Sequence, residues 1–361
     1  MRVFFDAQTF MRQRTGGISR LFTDLIREFD ADPSLGVEAQ LPFRLSNNQY
    51  AARDLAYRGM RVTPAWLPRG VAYAPWWMRG TGPERGNSIV HHTYYSGRFL
   101  GSSKAKQVTT VYDMIPERFA GTDQFTATHL DKRDYVARCD LVICISESTR
   151  QDMIAEYGDV AAPVRVIPLA VQPGFAPDKP RLQGLPADYL LYVGARKGYK
   201  DFGLLPSALQ QLASDHTTPP LVVVGKPFTT EERADLAARG LADQVQQVSL
   251  SDADLACAYA NCTMLVQTSR YEGFGLTPLE AMASGAPVVV ANASSMPEVG
   301  GEVARYFQPG DATDLARVIT EVLDNEGLRE ELSRRGPERA TDFTVAKMAQ
   351  RTADAYAELL D

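Results

Sequence analysis

The sequence predicts an α/β protein built from two doubly wound domains, each a parallel sheet between helices. Three observations carry that expectation. Short apolar runs rich in Val, Leu and Ile recur along the chain and alternate with helical patterns, the mark of successive strand–helix units. The 361 residues exceed what one ordinary core holds and suit two domains. Between the two sets of units lies LAVQPGFAPDKPRLQGLP, residues 169–186, whose Pro and Gly content marks a linker.

Composition narrows the class. With 45% hydrophobic and 23% charged residues the chain reads as a globular protein in solution. Acidic residues outnumber basic ones only 44 to 38, which argues against nucleic-acid binding through bulk charge. Cys139 and Cys144, like Cys257 and Cys262, are five apart in or beside apolar runs, without the CxxC spacing of metal or redox sites. They read as buried thiols of a reducing compartment. No run is long and apolar enough to span a bilayer, and Met1 leads straight into a strand. The expectation is a cytoplasmic protein without a signal peptide.

In order, residues 2–6 form an apolar strand, and the loop AQTFMRQRTGGIS leads to a helix over 20–29. Gly16 and Gly17 sit at that junction, where a helix start offers backbone N–H groups to a phosphate. Residues 30–86 carry little pattern. They contain Trp66, Trp76 and Trp77 in TPAWLPRGVAYAPWWMRG, which reads either as the core of a proline-rich loop or as a peripheral membrane contact at lipid headgroups. Strands over 88–92 and 107–112 follow. Ligands bind at the carboxyl ends of such strands, which places Thr93, Tyr94, Tyr95, Asp113 and Met114 on a cleft wall. The strand over 141–145 runs into SESTRQDMIAEYG, whose Ser146 or Ser148 can cap a helix.

The second domain opens with a strand over 189–193 and the loop GARKGYKDFGLL. Arg196 and Lys200, four apart around Gly198, suit a diphosphate: Arg forks two oxygens and Lys supplies a point charge. A strand over 221–224 ends in GKPFTTEE, bringing Lys226 near the same face. Asp252 and Asp254 form a D-x-D. Ser251 with Asp254 three later reads instead as a helix-capping pair, so no catalytic metal is expected. Strands over 263–267 and 287–291 flank RYEGFGLTPLEAMASG, and helices run from about residue 312 to the end.

That last segment carries the chemistry. Gly273 and Gly275 let the backbone approach a ligand, and the helix start beyond them favours an anion. Pro278 suits a first helical turn, so Glu280 lies within the helix and Glu272 on the loop before it. Carboxylates beside an anion site accept hydrogen bonds from sugar hydroxyls. A nucleotide sugar, with its diphosphate between two hydroxyl-rich rings, presents that combination.

The stretch EGFGLTPLEAMASGAPVV resembles the Glu-x7-Glu signature of retaining family 4 glycosyltransferases of the GT-B fold, the "glycosyl transferases group 1". DAQTFMRQRTGGISRLF resembles the N-terminal loop of one subgroup of that family. The resemblance implies a Rossmann-like acceptor domain over residues 1–172 and a Rossmann-like nucleotide-sugar domain over 173–342, facing one cleft, with a helix over 343–361 crossing back to the first domain. It implies that Glu272 faces the donor sugar and Glu280 holds the nucleotide ribose. The backbone of Phe274, Gly275, Leu276 and Thr277 would lie along the sugar and diphosphate, and Gly16 and Gly17 would reach toward the diphosphate. Arg196 and Lys200 would neutralise the leaving group, with Lys226 near base or phosphate. Many members carry a histidine before the Asp of the motif at residues 112–114; here Tyr112 takes that place, which leaves Asp113 as the catalytic candidate on that wall. Tyr94, Tyr95, Tyr112 and Ser146 are expected on the acceptor side.

The activity implied is metal-independent transfer of a hexose, with retention, to a saccharide or lipid-linked saccharide in surface polysaccharide synthesis, at the inner face of the membrane. The subgroup often uses GDP-mannose, and no separate cofactor is implied. Two other classes fit the architecture: a sugar-nucleotide epimerase, which needs no acceptor, and a non-catalytic nucleotide-sugar sensor. A dehydrogenase is disfavoured because no strand leads into G-x-G-x-x-G.

Overall fold

The computed structural model describes residues 1–41, 43–45, 48–55, 60–62, 88–95, 105–119, 128–213 and 218–361; Trp66, Trp76 and Trp77 lie outside them. The chain divides into two compact units, Met1–Ala170 with Val345–Asp361, and Val171–Thr344.

The first unit contains β1 (Arg2–Phe5), β2 (Glu38–Gln40), β3 (Phe43–Leu45), β4 (Met60–Val62), β5 (Ser88–His92), β6 (Lys106–Val111), β7 (Leu141–Cys144) and β8 (Val164–Val166). Six of these form a parallel sheet in the order β2-β1-β5-β6-β7-β8, while β3 and β4 pair separately. Central strands β5 and β7 are buried throughout, as a sheet covered on both faces requires; β7 is apolar along its length, while β5 also carries buried Ser88, His91 and His92. The helix Gly17–Ala31 buries Phe22, Leu25, Ile26 and Phe29, a three-and-four spacing that sets one face on β1, with Phe22 5.8 Å from Phe5. The final helix, Val345–Leu360, belongs to this unit and packs its buried Tyr356 against Phe29 and His91.

The second unit contains β9 (Leu190–Val193), β10 (Leu221–Val224), β11 (Val245–Val248), β12 (Met264–Gln267), β13 (Val288–Ala291) and β14 (Arg305–Phe307), all parallel, in the order β11-β10-β9-β12-β13-β14. This is the doubly wound order of a dinucleotide-binding fold, in which the winding reverses between β9 and β12 and opens a crevice at their carboxyl ends. Both β9 and β12 lead directly into the segments singled out above. The helix Leu276–Ala283 lies close against Glu326–Ala340. A Cβ on Gly336 would stand 2.7 Å from the Met282 carbonyl oxygen, so only glycine permits that approach.

His91 and His92 belong to the core of the first unit. His91 Nδ1 meets the Tyr356 hydroxyl at 2.5 Å and Nε2 meets Thr110 Oγ1 at 2.8 Å. His92 lies between Asp6 and Gln107, at 3.0 Å from each. Asp6, at the end of β1, also accepts from the amide and hydroxyl of Thr93 at the end of β5, so it laces the two strands at their own point of reversal. Cys139 and Cys144 are buried and their thiol pKa values are raised, chiefly by burial; Cys257 and Cys262, expected to be buried, are partly exposed.

Burial, reinforced by the neighbouring His92, pulls the His91 pKa down from 6.5 to about 3. Between those values the unfolded chain binds a proton that the folded chain refuses. This contribution to stability is complete above about pH 6.5 and is lost as pH falls toward 3. His91→Gln keeps a polar side chain without that proton, and should flatten the fall of the unfolding midpoint between pH 6.5 and 4.5. Equal slopes for the variant and the parent would contradict this assignment.

Candidate donor-sugar site

Lys200 reaches the crevice from a single 3-10 turn, Gly198–Lys200, that follows β9. The turn ends at Asp201 in the left-handed region, φ +48°. The segment after β12 is zipped to it. Thr268 Oγ1 donates to the Lys200 carbonyl at 2.9 Å, the Arg270 amide donates to the Tyr199 carbonyl at 2.8 Å, and Arg270 pairs with Asp201 at 3.5 Å. At the end of this zipper the Lys200 ammonium forms an ion pair with Glu272, and both side chains are largely buried.

Two serines after β13 fix the Glu272 backbone. Ser294, itself at φ +47°, accepts from the Glu272 amide at 2.8 Å. Ser295, fully buried, places its hydroxyl within hydrogen-bond distance of the Glu272 carbonyl, 2.9 Å, and the Phe274 carbonyl, 2.6 Å. The Phe274 ring is buried edge-on to Phe343, 5.7 Å between centroids, so only its backbone can line a ligand. Gly275 then turns the chain at φ +112° and opens the helix Leu276–Ala283. The first-turn amides of Leu276 and Thr277 have no acceptor within the helix and Pro278 carries no N–H, so the helix start presents donors to an anion. Four residues into that helix, Glu280 accepts from the buried Tyr259 hydroxyl at 3.3 Å. Burial, then the Glu280 charge, holds the Tyr259 phenol well above its usual range.

Arg196 differs from the open fork expected of it. Its Nε and Nη2 grip the Glu232 carboxylate at 2.8 and 2.9 Å, Nη2 also donates to the Pro227 carbonyl at 3.1 Å, and Nη1 donates to the Lys226 carbonyl at 2.8 Å. The guanidinium lies on the Phe228 ring, 4.6 Å from its centroid. Four of five N–H groups are thus committed, and one on Nη1 remains. Glu232 is in turn held by the Thr229 amide in a capping box, and the Arg196 interaction holds its carboxyl below the usual range. Lys226 is exposed and contributes its carbonyl to this arrangement. Thr-x-x-Glu in TTEE is a capping-box pattern legible in the sequence; its use by Arg196 is not.

The candidates of the first unit sort by burial. Gly16 precedes the helix Gly17–Ala31, and Gln13 Oε1 accepts from the Ser19 amide there at 2.9 Å, an acceptor already placed at this helix start. Tyr95 and Tyr112 are buried and pack on each other, 5.9 Å between centroids, and the Tyr112 hydroxyl donates to the Thr93 carbonyl at 2.7 Å. Ser146 is buried as the cap of Glu147–Tyr157, accepting from the Thr149 amide at 3.0 Å. These three side chains, expected on the acceptor side, are buried within the first unit. Tyr94 is half-buried under Arg12, 4.7 Å away. Asp113 is half-buried as well; its Oδ1 accepts from the Ile115 amide at 3.1 Å, and its carbonyl accepts from Lys132 at 2.8 Å. Lys132 is a buried cation matched at 2.8 Å by buried Glu117.

Asp252 and Asp254 open the helix Asp252–Asn261, with Ser251 accepting from the Asp254 amide at 3.2 Å. Among the described residues no group of three or more His, Cys, Asp or Glu is placed to hold a metal ion. Among them, too, no helix is long and apolar enough to cross a membrane.

Known proteins resemble this chain in both sequence and fold. The family model "Glycosyltransferase Family 4" matches residues 15–175, and "Glycosyl transferases group 1" matches residues 180–339. The chain is 31% identical over 281 residues to the serotype-specific mannosyltransferase WbdA of Escherichia coli, a match covering 71% of this chain and 34% of that protein. It is 29% identical over 275 residues to O-antigen chain mannosyltransferase B of Escherichia coli, covering 72% of each. Among solved structures, sucrose-phosphate synthase from Thermosynechococcus elongatus superposes with a TM-score of 0.75 at 19% identity over 99% of both chains. The chain has the GT-B fold of two Rossmann-like units, and its two halves match the models of two glycosyltransferase families. It is related to the group 1 and family 4 enzymes, and spans about a third of the length of WbdA.

Gly275→Ala would force a side chain into the left-handed region at 3.3 Å from Met296 Cε. The variant should lose about 1–3 kcal/mol of stability. Chemical denaturation measures this, and an unchanged midpoint would mean that the turn tolerates a Cβ.

Proposed function

We propose that this protein transfers a hexose, mannose from GDP-mannose by preference, to a saccharide or lipid-linked saccharide acceptor in surface polysaccharide synthesis, with retention of anomeric configuration and without a metal. The observation that carries the proposal is the meeting of Lys200 and Glu272 beside the helix start at Leu276: a cation, N–H donors and a carboxylate converge at the strand-order reversal. In this reading the ammonium and the helix start hold the diphosphate, while Glu272 accepts from hydroxyls of the transferring sugar and Glu280 from the nucleotide ribose. Mannose is favoured by the names of the two Escherichia coli relatives.

The chemistry is a front-face displacement. The bond between the sugar anomeric carbon and the diphosphate oxygen breaks, the acceptor oxygen bonds to that carbon on the same face, and the acceptor proton passes to the departing phosphate oxygen. Lys200 and the helix start stabilise the charge that develops on the diphosphate. Arg196 adds its remaining N–H and the field of a guanidinium fixed on Glu232. Asp113, anchored through its carbonyl by Lys132, is assigned to the acceptor side together with Tyr94.

Thermal unfolding against nucleotides and nucleotide sugars tests the donor, because a ligand of the folded state raises the midpoint by mass action. GDP and GDP-mannose should raise it equally with and without EDTA, and Lys200→Met should abolish most of the rise and lower mannosyl transfer by roughly two orders of magnitude or more. A rise seen only with a dinucleotide, or one lost in EDTA, would contradict the proposal.

A further inference from the structure

Resting on the donor-site reading above, we infer that Glu272 is the residue that makes this site prefer an intact nucleotide sugar over the nucleoside diphosphate it leaves behind. The geometry that points to this is the ion pair with Lys200. The same ammonium proposed to hold the diphosphate already has a carboxylate for a partner, and both side chains spring from anchored backbone. The Lys200 backbone is tied by Thr268, and that of Glu272 by Ser294 and Ser295. Arg270, the nearest additional cation on this segment, is committed to Asp201.

A diphosphate arriving at Lys200 therefore meets Glu272 as a neighbouring like charge competing for one ammonium. In a partly buried site such repulsion is poorly screened. An intact donor compensates, because hydroxyls of its sugar donate to Glu272 and satisfy the carboxylate as it gives up Lys200. The nucleoside diphosphate has no such group, so it bears the repulsion uncompensated and leaves sooner. One carboxylate thereby serves the sugar and weakens the hold on the product.

Calorimetric titration of GDP and of GDP-mannose into the parent, Glu272→Gln and Glu272→Ala tests this, with Lys200→Met and the Lys200→Met/Glu272→Gln double variant as further arms. Removing the charge should tighten GDP by roughly three- to tenfold. GDP-mannose should bind no tighter than it does to the parent, or more weakly, so the preference for donor over product collapses. In the Lys200→Met background Glu272→Gln should lose most of its effect on GDP. GDP binding unchanged or weakened in both Glu272 variants, alongside weakened binding in Lys200→Met, would overturn this role while leaving the donor site in place. GDP binding indifferent to Lys200→Met would overturn both.

Discussion

Lys200 and Glu272 are 72 residues apart, and the constraint that sets one against the other is the reversal of strand order between β9 and β12. Parallel strands deliver every loop of one kind to the same end of the sheet, and at the reversal two such loops diverge instead of packing. Here they are held together by three contacts, the Thr268 hydroxyl, the Arg270 amide and the Arg270–Asp201 pair. The neighbouring β13 supplies the serines that fix the second loop from its other side. Hydroxyl and amide bonds to the backbone of both loops thus do most of the positioning.

The two cations of the site are held by different means. Arg196 is bound by a carboxylate that is also part of a helix cap, so its position is coupled to the folding of Thr230–Ala238; it behaves as a fixed source of positive field. Lys200 has a single strong partner, Glu272, which the proposed substrate can satisfy in another way. In the first unit the corresponding reversal is closed by Asp6, whose carboxylate laces β1 to β5 through Thr93 and is shared with His92.

The fold was legible because buried parallel strands are mostly apolar, and runs such as LVVV and PVVVA stand out at once. Two short edge strands carry no such signal. Glu38–Gln40 and Val245–Val248 are partly exposed and carry the polar residues that an edge tolerates. The loop geometry after Glu272 was equally legible, since glycine and proline each have a local meaning there. What the sequence could not disclose was partnership across long separations. Nothing in GARKGYK shows that Arg196 closes on Glu232, 36 residues away, or that the Tyr95 and Tyr112 rings are buried against each other. Burial of a tyrosine at a strand end depends on neighbours supplied by other elements, and no local pattern reports them.

Transfer from a nucleotide sugar with retention is read out by proton NMR on the products of GDP-mannose turnover. The donor is linked through its α-anomeric position, so α-mannoside, or α-mannose released to water, should appear first, before mutarotation blurs the signal. Initial formation of the β-anomer would contradict retention. A bound but unconsumed donor in the presence of saccharide acceptors would contradict the assignment of these residues to catalysis.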